Sequence, residues 1–187
     1  MKHPNGIRKI NVNSTSYSNR GMGLEEDLNL SNEYYLIHDI AVIHKKPTPI
    51  TISKVNYPSR LEAVIEKAFF KTPSTTDYNG IYKGKYIDFE AKETKNTSFP
   101  LANIHIHQIN HLERVMKHGG IAFIIVRFTK ENKTFLLKGD DLLNFIKEGK
   151  RKSIPKDYFL KKGFSIKEEY TPRVDYLKII DYIYFGG

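Results

Sequence analysis

Hydrophobic positions at helical spacing open the patterned part of the chain. Leu24, Leu28 and Tyr35 fall on one side of a helix. Three consecutive acidic residues, 25–27, occupy its first turn, where carboxylates interact favourably with the helix dipole. The pattern predicts a first helix at about 22–36.

Two β-rich runs follow, at 40–44 and 50–55. The connecting segment 45–49 contains two prolines, which cannot extend a ladder of backbone hydrogen bonds. From 57 to 74 the pattern breaks, because aromatic and cationic residues mix in a segment with prolines near both ends, around a short predicted helix at 61–68. This composition favours an extension from the core, and we call the segment 57–74 the predicted stalk.

The segment 75–92 is typical of a β-hairpin, with two alternating runs and a tight turn at Lys83 and Gly84. A helix is predicted at about 103–118, where Gly119 ends it. The remaining predicted elements are a strand at 121–128 covered on both faces, a strand at 134–138, a helix at 140–147 capped by Asp140, a short helix at 155–162 and a final strand at 177–184.

Together these elements predict an α/β fold with a mixed central β-sheet flanked by helices and no internal repeat. A chain of 187 residues that is 40% hydrophobic can bury one substantial core. We therefore expect a single domain over 21–187, including the predicted stalk, after a flexible basic arm over 1–20. The arm either orders on a phosphate backbone or has no role.

The charge balance changes the expected partner. Thirty Lys and Arg stand against 21 Asp and Glu, for a net charge of +9, which attracts polyanions and makes nucleic acid the leading partner. The alternative is that the charge only keeps the protein soluble. The absence of cysteine excludes disulfides and thiolate zinc sites and fits a reducing compartment. With no signal-peptide pattern and no long apolar run, we expect a cytoplasmic, nucleoid-associated protein without a membrane partner.

Candidate chemistry concentrates in the predicted hairpin. Glu90 and Lys92 are two positions apart on a strand, so they project from one face, while Phe89 and Ala91 face the other way. The turn brings Asp77 beside Glu90, and two carboxylates at one point suit Mg²⁺, with Mn²⁺ as a substitute. The lysine would orient the nucleophile or offset charge that develops on the phosphate. The alternative is a surface ion pair, worth about 0–1 kcal/mol.

The three residues resemble the PD-(D/E)xK pattern of restriction-endonuclease-like nucleases, with Thr76 where that pattern has proline. Beyond this triplet, six ordered blocks resemble the RecU family of bacterial Holliday junction resolvases, at 19–22, 41–50, 74–80, 86–95, 98–101 and 170–176. The resemblance implies a restriction-endonuclease-like core with a projecting stalk, and a homodimer. It also implies Mg²⁺-dependent paired nicking of four-way DNA junctions in recombination and repair, with the recombinase and branch-migration proteins as possible partners.

Carried over by position, the resemblance also implies site residues. Lys92 would be the transition-state stabiliser, and the catalytic residues would be Asp77, Glu90 and Lys92. The metal site would use Thr75, Asp77, Glu90 and Gln108. The DNA-binding candidates are Arg20, Lys45, Lys46, Tyr57, Arg60, Phe70 and Lys71. Cations can neutralise phosphates and aromatic rings can stack on unpaired bases at the open centre of a junction.

Several carboxylates and histidines keep alternatives open. Asp88 lies on the strand face of Glu90 and competes with it as a ligand, but ranks lower, as a solvated or supporting carboxylate. Glu25 and Glu26 either reach the metal through water or are ordinary helix-start carboxylates. The histidines on the second long helix are interpreted as surface residues rather than zinc ligands, because no cysteine and no HExxH motif accompany them; they are His105, His107 and His111.

Three functions compete at this point. The first is the junction-resolving endonuclease, and the second is a sequence-specific restriction nuclease of the same fold, disfavoured by the predicted stalk. The third is a non-catalytic junction-binding regulator of the recombinase, in which the carboxylates only hold the fold.

Overall fold

This computed structural model describes residues 23–71 and 75–186, which form a mixture of α-helices and β-strands. The predicted arm at 1–20, including Arg20, lies outside the described residues. The helices are α1 (Leu24–Ile37), α2 (Ile106–Lys117), α3 (Gly139–Glu148), α4 (Lys156–Lys162) and α5 (Tyr176–Tyr184). The strands are β1 (Val42–Lys45), β2 (Ile50–Asn56), β3 (Val64–Phe70), β4 (Tyr78–Tyr82), β5 (Lys85–Thr94), β6 (Ser98–Pro100), β7 (Ile121–Phe128), β8 (Lys133–Lys138), β9 (Ser153–Pro155) and β10 (Phe164–Ile166).

A six-stranded sheet forms the centre, in the order β1-β4-β5-β7-β8-β10. Strands β5 and β7 are parallel, whereas the other neighbours in the sheet are antiparallel. Helix α2 lies between β5 and β7 in sequence and supplies the crossover that a parallel pair needs. The prediction of an α/β fold with a mixed sheet flanked by helices is confirmed.

Each face of the sheet packs against its own helices, because successive side chains of a strand alternate between the faces. One face buries Phe89 and Phe123 against α1 and α5, which contribute Leu28 and Ile180 among others. The other face buries alternate residues of β7 and β8 against α2, α3 and α4, through Leu112, Leu142 and Phe159. Strand β7 is buried along its whole length, as the sequence predicted.

The β4–β5 hairpin has the predicted turn. Lys83 and Gly84 both have positive φ, at 46° and 74°, as the two central positions of a type I′ turn require. The strands pair from Tyr82 with Lys85 down to Tyr78 with Phe89. This register fixes which residues of the two strands lie side by side.

Strands β2 and β3 form a two-stranded hairpin apart from the central sheet, and every residue in them is exposed. The prediction of a helix at 61–68 is therefore wrong. Val64 and Ile65 pair with β2 in an antiparallel ladder, which suits β-branched side chains. The hairpin overlaps the predicted stalk but starts earlier, at Ile50.

Two further local predictions are wrong. The segment predicted as a final strand is helix α5, in which Tyr176, Leu177 and Ile180 are buried at helical spacing. Its aromatic and β-branched residues have high strand propensity, but packing against the sheet determines the structure. Helix α3 begins at Gly139 after the N-cap residue Lys138, so Asp140 is the second residue of the helix and not its cap.

Candidate active site

Asp77, Glu90 and Lys92 meet at one point. Asp77 immediately precedes β4, and the pairing of Tyr78 with Phe89 brings it beside Glu90. The backbone N–H of Asp77 donates a hydrogen bond of 3.2 Å to Glu90 Oε2. The ammonium of Lys92 lies 3.3 Å from Asp77 Oδ2 and contacts Glu90 Oε1. Two carboxyls and one amine therefore share a single position on the sheet.

Burial sets the electrostatics of this group. Glu90 is 0% exposed, and burial raises its pKa to about 8, with a further rise from the neighbouring side-chain carboxyl of Asp77 and an opposing effect of Lys92. Burial acts to lower the pKa of Lys92, but the carboxyls of Glu90 and Asp77 together outweigh it, so this pKa lies above its ordinary value. Lys92 therefore carries its charge at neutral pH.

A cleft of about 340 Å³ opens beside Asp77. Thr75 lines it, so the structure places this predicted ligand next to Asp77. Glu25 and Lys45 also line the cleft and form an ion pair with each other. The remaining lining residues are Lys46, Pro47, Thr48, Pro49 and Thr76. We call this the Asp77 cleft.

Of the two predicted roles of Asp88, solvated or supporting, the structure excludes the solvated one, because Asp88 is 0% exposed. Its Oδ2 accepts hydrogen bonds of 2.8 Å from Lys46 and from Tyr86, and Nε2 of His111 lies 3.1 Å away. The hydroxyl of Thr76 donates to its Oδ1. Thr76, which precedes Asp77 and stands where the nuclease pattern has proline, is thus bound to Asp88.

The predicted phosphate contacts Lys45 and Lys46 have partners within the protein. Lys46 is held by Thr76 at 3.0 Å and by Asp88, and its backbone N–H donates to the carbonyl of Asp77 at 2.7 Å. These contacts make Lys46 part of the support of the site. Lys45 is more exposed, and its partner Glu25 is also at the surface.

Gln108 is buried at the start of α2, where its side-chain oxygen accepts a hydrogen bond of 2.9 Å from the backbone N–H of His105. This bond belongs to a capping box, which satisfies free N–H groups at a helix start. Its role as a metal ligand stays a prediction, as does the role of Glu26. Among the described residues there is no cluster of three or more His, Cys, Asp or Glu that could hold a metal.

The predicted DNA contacts on and beside the β2–β3 hairpin are exposed. Tyr57 is 63% exposed and Phe70 is 85% exposed, while Arg60 and Lys71 are also at the surface. The ammonium of Lys67 lies 5.2 Å from the ring centre of Phe69. The hairpin therefore presents rings and cations together, although it lies apart from the group of Asp77 in the sheet order.

A buried charge network went unrecognised in the sequence. Arg127 lies 2.7 Å from Asp27 and 3.0 Å from Glu168, and Asp27 also pairs with Arg173 at 3.1 Å. Glu93, next to Lys92, accepts a hydrogen bond from the first backbone N–H of α1 at 2.8 Å. The sequence signal for this network was Arg127, a charged residue within the otherwise apolar run of β7. In the described ranges, no helix combines the length and the apolar character needed to cross a membrane.

Comparison with known proteins identifies relatives of this chain. The family model "RecU: Recombination protein U" matches residues 19–182. Proteins named "Holliday junction resolvase RecU" from Bacillus cereus (strain AH820) and Bacillus anthracis (strain CDC 684 / NRRL 3495) are each 52% identical over 198 aligned positions, covering 100% of this chain and 99% of the relative. A structure of Archaeoglobus fulgidus Hjc, described as a Holliday junction resolvase, aligns over 76% of this chain and 94% of its own, with 12% identity and a TM-score of 0.45. From the family match and these full-length relatives, the chain belongs to the RecU family.

Proposed function

We propose that this protein is a divalent-metal-dependent endonuclease that resolves four-way DNA junctions, using Asp77, Glu90 and Lys92. The observation that carries the proposal is their convergence, with Lys92 in contact with both carboxyls. The names of the relatives support the substrate, since they are called Holliday junction resolvases at 52% identity over the full chain. The net charge of +9 fits a polyanionic partner.

The donor set fits a small hard cation, for which we propose Mg²⁺ with Mn²⁺ as a substitute. Glu90 Oε1 is buried and, within the described residues, accepts no hydrogen bond of regular geometry, although the Lys92 ammonium touches it. Asp77 is partly exposed to the Asp77 cleft, so its carboxylate is accessible. Oxygen donors are the ligands that Mg²⁺ prefers. Thr75 and Gln108 are the further ligands proposed from the family resemblance.

The chain's own groups divide the catalytic work. A bound divalent ion would polarise the scissile phosphate and lower the pKa of a coordinated water. Asp77 and Glu90 would fix its place, and the charged Lys92 would stabilise negative charge that develops on the phosphate oxygens. Lys46 and Asp88 hold the segment before β4, which keeps Asp77 in position against Glu90.

Substrate shape would be recognised by the exposed rings and cations around the β2–β3 hairpin. Tyr57 and Phe70 offer faces to unstacked bases, and Arg60 and Lys71 can neutralise phosphates. We also propose a homodimer, because paired nicks need two active sites and twofold symmetry matches the symmetry of a junction. Its mass in solution, measured by light scattering with and without DNA, tests this part.

The test compares a synthetic four-way junction with a linear duplex of the same sequence, with and without Mg²⁺. The variants are Asp77→Ala and Glu90→Ala, with Asp140→Ala as the control because Asp140 is an exposed carboxylate on α3. We expect paired nicks in the junction only when metal is present. The two site variants should lose nicking by a factor of about 10² to 10³ or more while still binding the junction, and the control should cut normally.

Other results would overturn the proposal in distinct ways. Equal cleavage of the linear duplex would support a restriction nuclease. Tight junction binding without nicking under any divalent metal would support the non-catalytic regulator of the recombinase. Normal nicking by both site variants would show that the chemistry lies elsewhere.

A further inference from the structure

A second cleft lies under α2, on the face of β5 that carries Glu90. It has no role in the chemistry described above. It encloses about 350 Å³ and is lined by Tyr86, His111, Arg114, Val115, His118 and Gly120. We call it the α2 cleft. Among the residues that the structure describes, no carboxylate lines it, whereas Glu25 and Asp77 both line the Asp77 cleft. Its charge therefore favours an anion.

One carboxylate joins the two clefts. Asp88 Oδ2 holds Tyr86 at 2.8 Å and His111 at 3.1 Å, which are walls of the α2 cleft. The same oxygen holds Lys46, a wall of the Asp77 cleft, at 2.8 Å. Because Asp88 is fully buried, these contacts fix the two clefts relative to each other.

Part of the wall of the α2 cleft is held in place by hydrogen bonds, and another part is exposed and can contact a ligand. The hydroxyl of Tyr86 also accepts a hydrogen bond of 3.2 Å from Asn79, so the ring is held from two sides. Arg114 and His118 are exposed, and within the described residues neither forms an ion pair. An arginine that pairs with no carboxylate of the described ranges, beside a fixed aromatic ring, suits a ligand with an anionic group and an apolar face.

A phosphate with its deoxyribose has both features. The sugar can rest on the Tyr86 ring and on Val115, while the guanidinium of Arg114 binds the phosphate oxygens. An alternative explanation for Arg114 is the helix dipole, which favours cations at the C-terminal end of α2. The dipole does not explain why Tyr86 and His111 are held in place there. The dipole leaves about half a negative charge at that end, less than the full charge of Arg114.

The distance between the α2 cleft and Glu90 corresponds to a few steps along DNA. Tyr86, Asp88 and Glu90 alternate on one face of β5, so the ring lies about 13 Å along the strand from Glu90, at about 3.3 Å per residue. One DNA strand places a phosphate about every 3.4 Å along the helix axis. On a DNA arm whose axis runs along β5, the α2 cleft would therefore lie within about four base-pair steps of the scissile phosphate.

We infer that the α2 cleft is a second phosphate subsite, which takes a backbone phosphate and sugar of the DNA arm next to the nick. The inference rests on the proposed endonuclease function and adds a residue-level contact to it. The binding residues are Arg114 and His118, with Tyr86 as the platform and Asp88 as the positioning residue that sets the cleft against the active site.

The experiment measures the binding of the full chain to a synthetic four-way junction in EDTA. It combines changes in the protein with changes in the DNA, so that each protein variant is tested on each modified junction. Single methylphosphonates, which remove the charge of one phosphate, are placed at each step within about four base pairs of the nick on both sides. The variants are Arg114→Ala and His118→Ala. The control is Lys178→Ala, which removes one exposed charge from α5 on the other face of the sheet. Urea midpoints check that each variant is folded.

At one position, the neutral linkage should weaken binding by wild type and by Lys178→Ala about two- to fivefold, but should leave binding by Arg114→Ala unchanged. The slope of log affinity against log salt should fall by about 0.9 in Arg114→Ala, and Arg114→Lys should recover most of that loss. If Arg114→Ala responds to every methylphosphonate as wild type does, the subsite is wrong. That result does not contradict the proposed endonuclease function if the wild type nicks the junction with Mg²⁺. If the wild type never nicks, the proposed function itself is wrong.

Discussion

The backbone N–H of Asp77 donates a hydrogen bond to the carboxyl of Glu90, 13 positions further along the chain, at 3.2 Å. The bond joins the loop before β4 to the middle of β5. It also means that the buried Glu90 supports the backbone of Asp77 as well as contributing a carboxyl to the site. Substitution of Glu90 should therefore affect both chemistry and structure, whereas Asp77→Ala removes a carboxyl but keeps the backbone N–H that donates this bond.

Metal binding should release a proton from Glu90. Its pKa of about 8 means that the metal-free protein holds Glu90 largely protonated at pH 6.5, and a cation must displace that proton. We expect about one proton released per ion at pH 6.5, and little release above pH 9. Titration calorimetry with Mg²⁺ in two buffers of different ionisation enthalpy measures this number. The same proton count at both pH values would contradict the assignment.

Stability of the metal-free protein should fall as pH rises from about 4.5 to about 8. The folded pKa of Glu90 is raised from its ordinary 4.5 to about 8, so the folded state holds a proton that the unfolded chain loses first. The advantage is present below pH 4.5 and is lost as pH approaches 8. Urea midpoints across this window, for wild type and Glu90→Gln, test it, because the variant should lack this component of the slope.

Lys46→Met should destabilise the protein, while Lys45→Met should not. Asp88 is fully buried and loses a charged donor in the first variant, although Thr76 and Tyr86 still donate to it, so we expect a loss of about 1–3 kcal/mol. The pair of Lys45 with Glu25 is more exposed, and its removal should change the free energy of unfolding by less than about 1 kcal/mol. Urea denaturation measures both, and equal effects would argue against a supporting role for Lys46.

Phe70→Ala should reduce selectivity for junctions without loss of stability. The side chain is 85% exposed, so its removal should shift the free energy of unfolding by no more than about 0.5 kcal/mol. If it stacks on an unpaired base, junction affinity should fall by about 1–3 kcal/mol while duplex affinity stays the same. Leu160→Ala, at another exposed apolar position, is the control. An equal loss on duplex DNA would remove the stacking role.

The β4–β5 hairpin could be predicted from sequence because its determinants are local. Alternation over 78–94 sets the faces of Glu90 and Lys92, and Lys83 with Gly84 specifies the turn that brings Asp77 alongside. No distant contact is needed to reach that geometry. The meeting of these two carboxyls is therefore predictable from the sequence of the hairpin alone.

The errors arise where tertiary packing decides. Asp88 shares the period-2 pattern of Glu90, but its burial depends on contacts with Lys46 and His111 from other elements. The strand propensity of α5 is overridden because Leu177 and Ile180 pack on the sheet as a helical stripe. In β3, pairing with β2 replaces an isolated helix that would have had no surface to pack against.

The two-residue turn at Lys83 and Gly84 imposes a parity rule on changes of chain length in this hairpin. One residue added to a single arm would slip the pairing and send either Asp77 or Glu90 to the opposite side of the sheet, unless a bulge absorbed it. Equal additions to both arms would lengthen the hairpin and leave the two acids opposed. Viable length variants of this segment should therefore change by even numbers of residues, split equally about the turn.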